Sequence, residues 1–592
     1  MGKIVIVGGV AGGASTAARL RRLDEGARIL LYERGEHISY ANCGLPYYIG
    51  GVIEERSRLF VQTPQSFSRR FRVEVRTLSE VTAIDLKGKN VRVRERSSGR
   101  EYTEGYDTLV LAPGAEPVKP AIPGVDLEGI FTVRTVPDVD RIRAFIERRQ
   151  PRRALIVGAG FIGLEMAENL HRRGIFVTIV EMAEQVMTPL DYEMAAEVHQ
   201  HLKTKKVEFY LKEAVVGFER SRQRILAHLS GGRTLPADLV ILGIGVRPES
   251  ALARQAGLAI GSRGGIVVDE HLRSSDPDVY ALGDAIEYPN PVIGKSMITY
   301  LAGPANSQGR IVADNIVLGN VRRYRGAMGT AIAKVFDLTV AATGVSEKTL
   351  KAEGLPFLAS ITHSASHAGY YPGALPMSIK IVFSPKDGRL LGAQIVGYEG
   401  VDKRIDVLAS VLRSGGTVYD LLEAEHAYAP PYSSAKDPVN VAGAVAENIL
   451  RGLVKIVHWH ELREGGAEPG RGAPAPESEL VLDVREPEEY EQGHIEGALN
   501  LPLNCLRDAL ALGGQLSALP RDRRIVAYCE VGLRAYLACR ILLQGGFSEV
   551  YNLSGGYKTY EYVSEKQGNE DIFERDVIGK DDDIYQTPVP EG

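Results

Sequence analysis

Short unbroken apolar runs, each followed by a glycine-rich turn and then a helix of small residues, set the character of the first half of the chain. Lys3-Ile-Val-Ile-Val7 leads into Gly8-Gly-Val-Ala-Gly-Gly13 and a predicted helix over 14–23. The run is that of a short buried strand, and strand, glycine turn and helix in this order open a doubly wound α/β nucleotide-binding domain. The same order recurs at Ala154-Leu-Ile-Val157, Gly158-Ala-Gly-Phe-Ile-Gly163 and a predicted helix over 164–173. Two Rossmann-like dinucleotide-binding units imply two nucleotides. Val207-Glu-Phe-Tyr-Leu211 and Leu239-Val-Ile-Leu242 are predicted strands that finish the second unit, and residues 265–285 return to the first. Further on, Ser378-Ile-Lys-Ile-Val-Phe383 and Leu391-Gly-Ala-Gln-Ile-Val396 are strand-like, with a helix expected near 406–414.

The pattern breaks at Arg463-Glu-Gly-Gly-Ala-Glu-Pro-Gly-Arg-Gly-Ala-Pro-Ala-Pro476, whose Gly and Pro content without apolar periodicity marks a linker. Beyond it Leu480-Val-Leu-Asp483, Arg524-Ile-Val-Ala-Tyr528 and Glu549-Val-Tyr-Asn-Leu553 are predicted strands alternating with helices, a small α/β pattern. The expected organisation is a discontinuous first unit at 1–113 and 246–326, a second at 114–245 and a third at 327–456. A linker at 457–477, a fourth unit at 478–565 and an acidic tail at 566–592 follow.

The 592 residues suffice for about four domains of roughly 150 residues. Hydrophobic residues at 44% and charged residues at 24% exclude a disordered or fibrous chain. A net charge of −5 gives no global attraction to nucleic acid or an anionic membrane. The four cysteines, Cys43, Cys505, Cys529 and Cys539, form no C-x-x-C pair, which argues against a disulfide scaffold and a structural zinc site. No uncharged apolar stretch reaches the ~18 residues of a membrane span. A cytoplasmic protein with reactive thiols is expected.

At the first turn Gly8, Gly12 and Gly13 let backbone amides approach a pyrophosphate, aided by the positive helix end. Val10 stands where the fingerprint has its middle glycine, but Glu33 ends the second strand and is placed to accept from a ribose hydroxyl. At the second turn Gly158, Gly160 and Gly163 complete the fingerprint and Glu181 is the corresponding acid. A carboxylate there repels a 2′-phosphate, so NADH is favoured over NADPH, with Arg172 and Arg173 near enough in sequence to soften the preference.

Ser275-Asp-Pro-Asp-Val-Tyr-Ala-Leu-Gly-Asp284 resembles the second FAD fingerprint of two-dinucleotide flavoprotein disulfide reductases, and Leu109-Val-Leu-Ala-Pro-Gly114 resembles their domain-crossing segment. The resemblance spans about three quarters of the chain. It implies FAD at the first site, held by Gly8, Ala11, Gly12, Glu33, Val81, Asp284, Ala302 and Pro304. It implies NADH at the second, held by Gly158, Gly160, Ile162, Gly163, Glu181 and Gly245. Ser39-Tyr-Ala-Asn-Cys-Gly-Leu-Pro-Tyr-Tyr48 carries one cysteine where ordinary members have two, which excludes a dithiol cycle within this site. The stretch is similar to that of coenzyme A disulfide reductases, in which one thiolate forms a mixed disulfide with the substrate thiol. A lowered thiol pKa is expected for Cys43 beside a flavin and a helix start. Arg19 and Arg22, three apart, share a helix face. The resemblance implies that they line a coenzyme A channel with Ser39, Asn42, Asn306 and Lys436, and that Tyr370 and Tyr428 come from the partner of a homodimer to face Cys43.

Tyr528-Cys529-Glu-Val-Gly-Leu-Arg534 lies between a strand and a helix, where amides and Arg534 can stabilise a thiolate or a bound persulfide. With Leu482-Asp-Val-Arg485-Glu-Pro, Gly493-His-Ile-Glu-Gly-Ala498 and Gly555-Gly556, it resembles the rhodanese sulfurtransferase domain. Glu530 is acidic where thiosulfate-using rhodaneses often carry a basic residue. Cys505 and Cys539 are expected as packing residues. The whole order resembles coenzyme A disulfide reductases fused to a rhodanese domain, a group that includes NADH-dependent persulfide reductases. The implied fold adds an α+β dimerisation domain and a C-terminal rhodanese α/β domain to the two Rossmann-like units. The implied activity is reduction of coenzyme A persulfide or polysulfide by NADH through FAD and Cys43, releasing hydrogen sulfide. A coenzyme A disulfide reductase, an NADH oxidase or peroxidase cycling Cys43 through a sulfenic acid, and a persulfide carrier serving a partner protein are the alternatives.

Overall fold

The computed structural model describes residues 2–462 and 479–564. The linker at 463–476 and the tail at 566–592 lie outside the described residues.

The first unit centres on five parallel strands in the order Val279–Ala281, Thr108–Leu111, Lys3–Val7, Arg28–Tyr32 and Glu74–Arg76. Ile4, Val5 and Ile6 are all buried, so helices cover both faces of this strand. The second unit repeats the plan with Glu208–Tyr210, Phe176–Val180, Arg153–Val157, Leu239–Leu242 and Ile130–Phe131. Each unit carries a three-stranded antiparallel meander, Ser79–Asp85 to Glu101–Gly105 in the first and Val215–Ser221 to Thr234–Ala237 in the second. Strands Ala115–Pro117 and Val246–Pro248 pair antiparallel where the chain leaves and re-enters the first unit. The glycine-turn helices begin earlier than the apolar periodicity indicates, at Ala11 and Phe161, because the last turn residues already adopt helical backbone.

The third unit is an antiparallel sheet in the order Ala331–Val335, Leu338–Gly344, Leu390–Gly397, Pro376–Phe383 and Leu358–Ala365, with Leu358–Ala365 at one edge. The helices Val401–Ser414 and Pro438–Leu450 pack on it. Lys380 of this sheet is 0% exposed and bound to Asp191 at 3.0 Å and Glu347 at 2.6 Å, with Glu193 as a third partner. A buried ammonium needs such partners, and they tie the second unit to the third.

The C-terminal sheet has five parallel strands, Lys455–Val457, Val550–Leu553, Ile525–Tyr528, Leu480–Asp483 and Leu499–Asn500. This moves one expected boundary. Lys455–Val457, placed by the sequence at the end of the third unit and the start of the linker, is an edge strand of the fourth. Its three residues carry too little pattern to show which sheet they join. Among the described residues no helix is long and apolar enough to cross a membrane.

Candidate functional site

The first glycine turn starts at Gly8, whose φ is +99° and where a Cβ would stand 2.1 Å from the Ala112 carbonyl. Gly13, expected beside Gly8 and Gly12 at the anion, also packs the helix on the turn, since a Cβ there would lie 1.9 Å from Gly8 O. Gly12 faces Leu282. Glu33 accepts from Gly9 N at 2.9 Å and Gly35 N at 2.8 Å, which aims its carboxylate across the mouth of the turn. Ala11 is half-buried, Val81 is buried in the first meander, and Ala302 and Pro304 open the helix Ala302–Leu318. Asp284 sits in a 3-10 turn, Gly283–Ala285, and burial pushes its carboxyl up to about 6 against the pull of Arg134.

The second turn has the same build. Gly158 has φ +99°, Gly163 packs against the Gly158 carbonyl, and Gly160 caps the helix Phe161–Arg172 with open space where a Cβ would be. Glu181 accepts from Ala159 N at 2.7 Å and Ala183 N at 2.9 Å, the counterpart of Glu33. Ile162 is half-buried beside the turn, and Gly245 has φ +114° at the return strand. Arg173, considered with Arg172 for the second nucleotide, is otherwise engaged: its Nη1 donates to Ile49 O at 3.1 Å.

That contact clamps the cysteine turn. Asn42–Gly44 is a 3-10 turn running into the short helix Leu45–Ile49, which packs on Phe161–Arg172. Cys43 is exposed there. The protein's own groups push the thiol up, desolvation first and then the charges of Glu165 and Asp284, so the expected lowering rests on the flavin. Neither carboxylate adjoins Cys43 in sequence. Glu165 is itself pushed up to about 7 by burial and by Glu168. The helical i, i+3 spacing of Glu165 and Glu168 was readable as a shared face, but its approach to Cys43 was not.

Of the residues assigned to coenzyme A, Arg19 pairs with Asp314 at 2.8 Å, and Arg22 is exposed and bonded to its own helix at Ala18 O. Ser39 has φ +46° and donates its N–H to Gly9 O, linking the cysteine segment to the first turn. Asn42 and Lys436 are exposed, and Asn306 accepts from Ser15 Oγ. Tyr370, 76% exposed, and Tyr428, 47% exposed, meet hydroxyl to hydroxyl at 2.7 Å, whereas Tyr371 lies edge-on to His367.

In the C-terminal unit Cys529 is 1% exposed and accepts from Gly532 N at 3.2 Å. Gly532 takes φ +96° at the cap of the helix Leu533–Gln544, which turns its amide inward. Arg534 holds Glu489 with two bonds of 2.6 Å, and the nearby Cys529 sulfur helps to raise its pKa. Arg485 holds Asp483 and reaches Glu530 at 3.3 Å. The loop can therefore hold a sulfur anion beside an amide and an arginine. Cys539 is buried, as expected, and its burial and the nearby Cys529 push it up to about 12. Cys505 is exposed, not packed: its 3-10 turn Leu503–Cys505 buries neighbouring Leu506 instead.

Residues 2–305, just over half of the chain, match the pyridine nucleotide-disulphide oxidoreductase model. The chain belongs to the pyridine nucleotide-disulphide oxidoreductases. The dimerisation domain of this oxidoreductase family matches at 330–438 and a rhodanese-like domain at 471–562. A coenzyme A disulfide reductase of Staphylococcus haemolyticus is 35% identical over 449 residues, 76% of this chain and 100% of the relative. The reduced CoADR-RHD of Bacillus anthracis superposes with TM-score 0.90 at 49% identity, covering 95% of this chain and 98% of that one. A NAD-dependent persulfide reductase from A. fulgidus gives 0.86 at 37%, covering 94% and 100%. Membership in these oxidoreductases implies FAD and a pyridine nucleotide. The donors present fit both groups: Gly160 leaves the second turn open to a phosphate, and the half-buried Asp284 stands on the 3-10 turn packed against the helix Ala302–Leu318, its carboxyl pushed up to about 6 and suited to a hydroxyl partner.

Proposed function

We propose that the protein is an FAD-dependent reductase that uses NADH to reduce coenzyme A persulfide or polysulfide and release hydrogen sulfide. The observation that carries this reading is the intact Cys529 loop, with its amide and arginine, in the same chain as the exposed Cys43. A sulfur-anion site adds nothing to reduction of a plain disulfide. The A. fulgidus persulfide reductase, matched along almost its whole length, supports it.

In this reading the Cys43 thiolate attacks the coenzyme A sulfur of the persulfide. The Cys43–coenzyme A disulfide forms, the sulfane bond breaks, and hydrosulfide leaves. Two electrons and a proton then return Cys43 as thiolate and coenzyme A as thiol. Bound FAD supplies the path for that electron pair from NADH. Glu33 and Asp284 would hold the FAD hydroxyls, and Glu181, fixed by two amides, would accept from the NADH ribose and repel a 2′-phosphate. The exposed Tyr370–Tyr428 pair reaches the partner's active site in a homodimer and donates a proton to the leaving sulfur. Arg19, Arg22, Ser39, Asn42, Asn306 and Lys436 line the coenzyme A path. At Cys529, the thiolate takes the terminal sulfur of a donor persulfide, whose thiolate leaves.

A coenzyme A disulfide reductase is the second reading, favoured by the staphylococcal relatives of that name. It uses the same attack by Cys43, with a coenzyme A thiolate leaving. Steady-state NADH oxidation with coenzyme A persulfide against coenzyme A disulfide separates the two. A higher specificity constant for the persulfide is expected; preference for the disulfide replaces the first reading with the second.

A further inference from the structure

We propose that the sulfurtransferase unit works as a fixed part of the reductase body, with His363 as the positioning residue that sets the Cys529 loop. The inference rests on Cys529 being the sulfur-carrying thiol of the reading above.

Topology gives the first argument. Lys455–Val457 and Leu480–Asp483 are strands of the same sheet, so the fourth unit already begins at Lys455. The connection between the third and fourth units is residues 451–454, directly after the helix Pro438–Leu450. Val454 is buried in the C-terminal core and Leu453 O accepts from Arg540 Nη1 at 2.5 Å. So short and anchored a connection leaves the unit little room to swing.

A hydrogen-bonded chain gives the second. Ile361 N, on the edge strand Leu358–Ala365, donates to Ser554 Oγ at 3.1 Å, so the fourth unit covers an otherwise open sheet edge. Two residues on, His363 bridges Ser378 Oγ and Thr559 Oγ1, each at 2.8 Å. Ser378 donates to Glu197 Oε2 at 2.6 Å. Both ring nitrogens of His363 are thus engaged, one donating and the other accepting. Burial and Lys558 hold His363 down to about 3, so the ring stays neutral and can serve one neighbour as donor and the other as acceptor. The chain runs from the fourth unit through the third to the second. An unmade bond within it would strand a buried polar atom.

The helix that presents Thr559, Gly556–Ser564, also closes the cysteine loop. Tyr557 N donates to Cys529 O at 2.8 Å and Lys558 N to Glu530 O at 3.0 Å. Gly556 has φ +62°, and a Cβ there would stand 2.4 Å from Cys529 O. Displacing Thr559 therefore displaces the backbone of Cys529.

The test is iodoacetamide alkylation of the FAD-loaded, full-length protein, with Cys43 and Cys529 followed separately by mass spectrometry of their peptides. It uses no NADH, so it stands apart from the substrate question. Thr559→Val is expected to slow Cys529 by about fivefold, the effect of one lost hydrogen bond, and to leave Cys43 unchanged. Thr559→Ser, which keeps the hydroxyl, is expected to restore the rate. An unchanged Cys529, equal slowing at both cysteines, or no rescue by serine overturns the proposal. If Thr559→Val does not fold, Ser554→Ala, which removes the acceptor of Ile361 N, takes its place: slowing at Cys529 alone is expected, and an unchanged Cys529 or equal slowing at both cysteines overturns the proposal.

Discussion

The two cysteines proposed to react with sulfur occupy opposite environments. Cys43 is exposed on a 3-10 turn and faces the carboxylates Glu165 and Asp284, which oppose its ionisation. Cys529 is buried in a loop that brings an amide and a guanidinium to its sulfur. Exposure and activation do not go together in this protein. The Cys529 loop carries its own anion stabilisation, built within one short segment. The Cys43 turn carries access, and its protein neighbours alone disfavour the thiolate, so activation there has to come from the groups that complete the site.

Four substitutions sharpen or break this contrast. Cys43→Ser should remove NADH-dependent reduction of both coenzyme A substrates by roughly a thousandfold or more, because no other thiol reaches that turn. Retained activity in an NADH absorbance assay would end the role of Cys43. Cys529→Ser should abolish persulfide on the loop peptide, read by mass spectrometry after exposure to a persulfide donor. A modified peptide would place the sulfur elsewhere. Arg534→Gln should slow alkylation of Cys529 by about tenfold, the effect of a lost charge-assisted contact, and leave that of Cys43 alone. Equal rates would mean that the arginine serves Glu489 only.

The smallest effect concerns Glu165. Its carboxyl ionises near pH 7, and once charged it opposes the Cys43 thiolate. Glu165→Gln should therefore move the midpoint of Cys43 alkylation to lower pH, with the gain in rate appearing above pH 7 and vanishing below about 5, where the wild-type acid is already neutral. A midpoint that stays in place, or moves up, would show that Glu165 does not act on the cysteine.

Much of the fold was legible because its signals are local. A buried strand, a glycine at positive φ and a helix start fall within about ten residues, so both nucleotide turns were readable, as were their acids Glu33 and Glu181 at the ends of the next strands. The Cys529 loop was readable for the same reason. Its amide donor, Gly532, and its arginine, Arg534, lie within five residues of the sulfur. Two finer readings failed at short range. Cys505 is exposed, and Lys455–Val457 joins the later sheet. In each case the deciding neighbour lies elsewhere in the chain or in the exact backbone angle.

By itself, then, the sequence determined the order of units, the two glycine turns with their acids and the loop that holds Cys529, because these depend on spacing within a single strand, turn and helix. Tertiary structure alone decided what surrounds them. It brought Glu165 and Asp284, from two different units, to Cys43. It gave the buried Lys380 three carboxylates from two units. It joined Thr559, His363, Ser378 and Glu197 into one hydrogen-bonded chain that crosses from the fourth unit to the second. Such contacts satisfy buried polar groups, and a buried group takes whichever partner the fold delivers, a choice that spacing along the chain does not record.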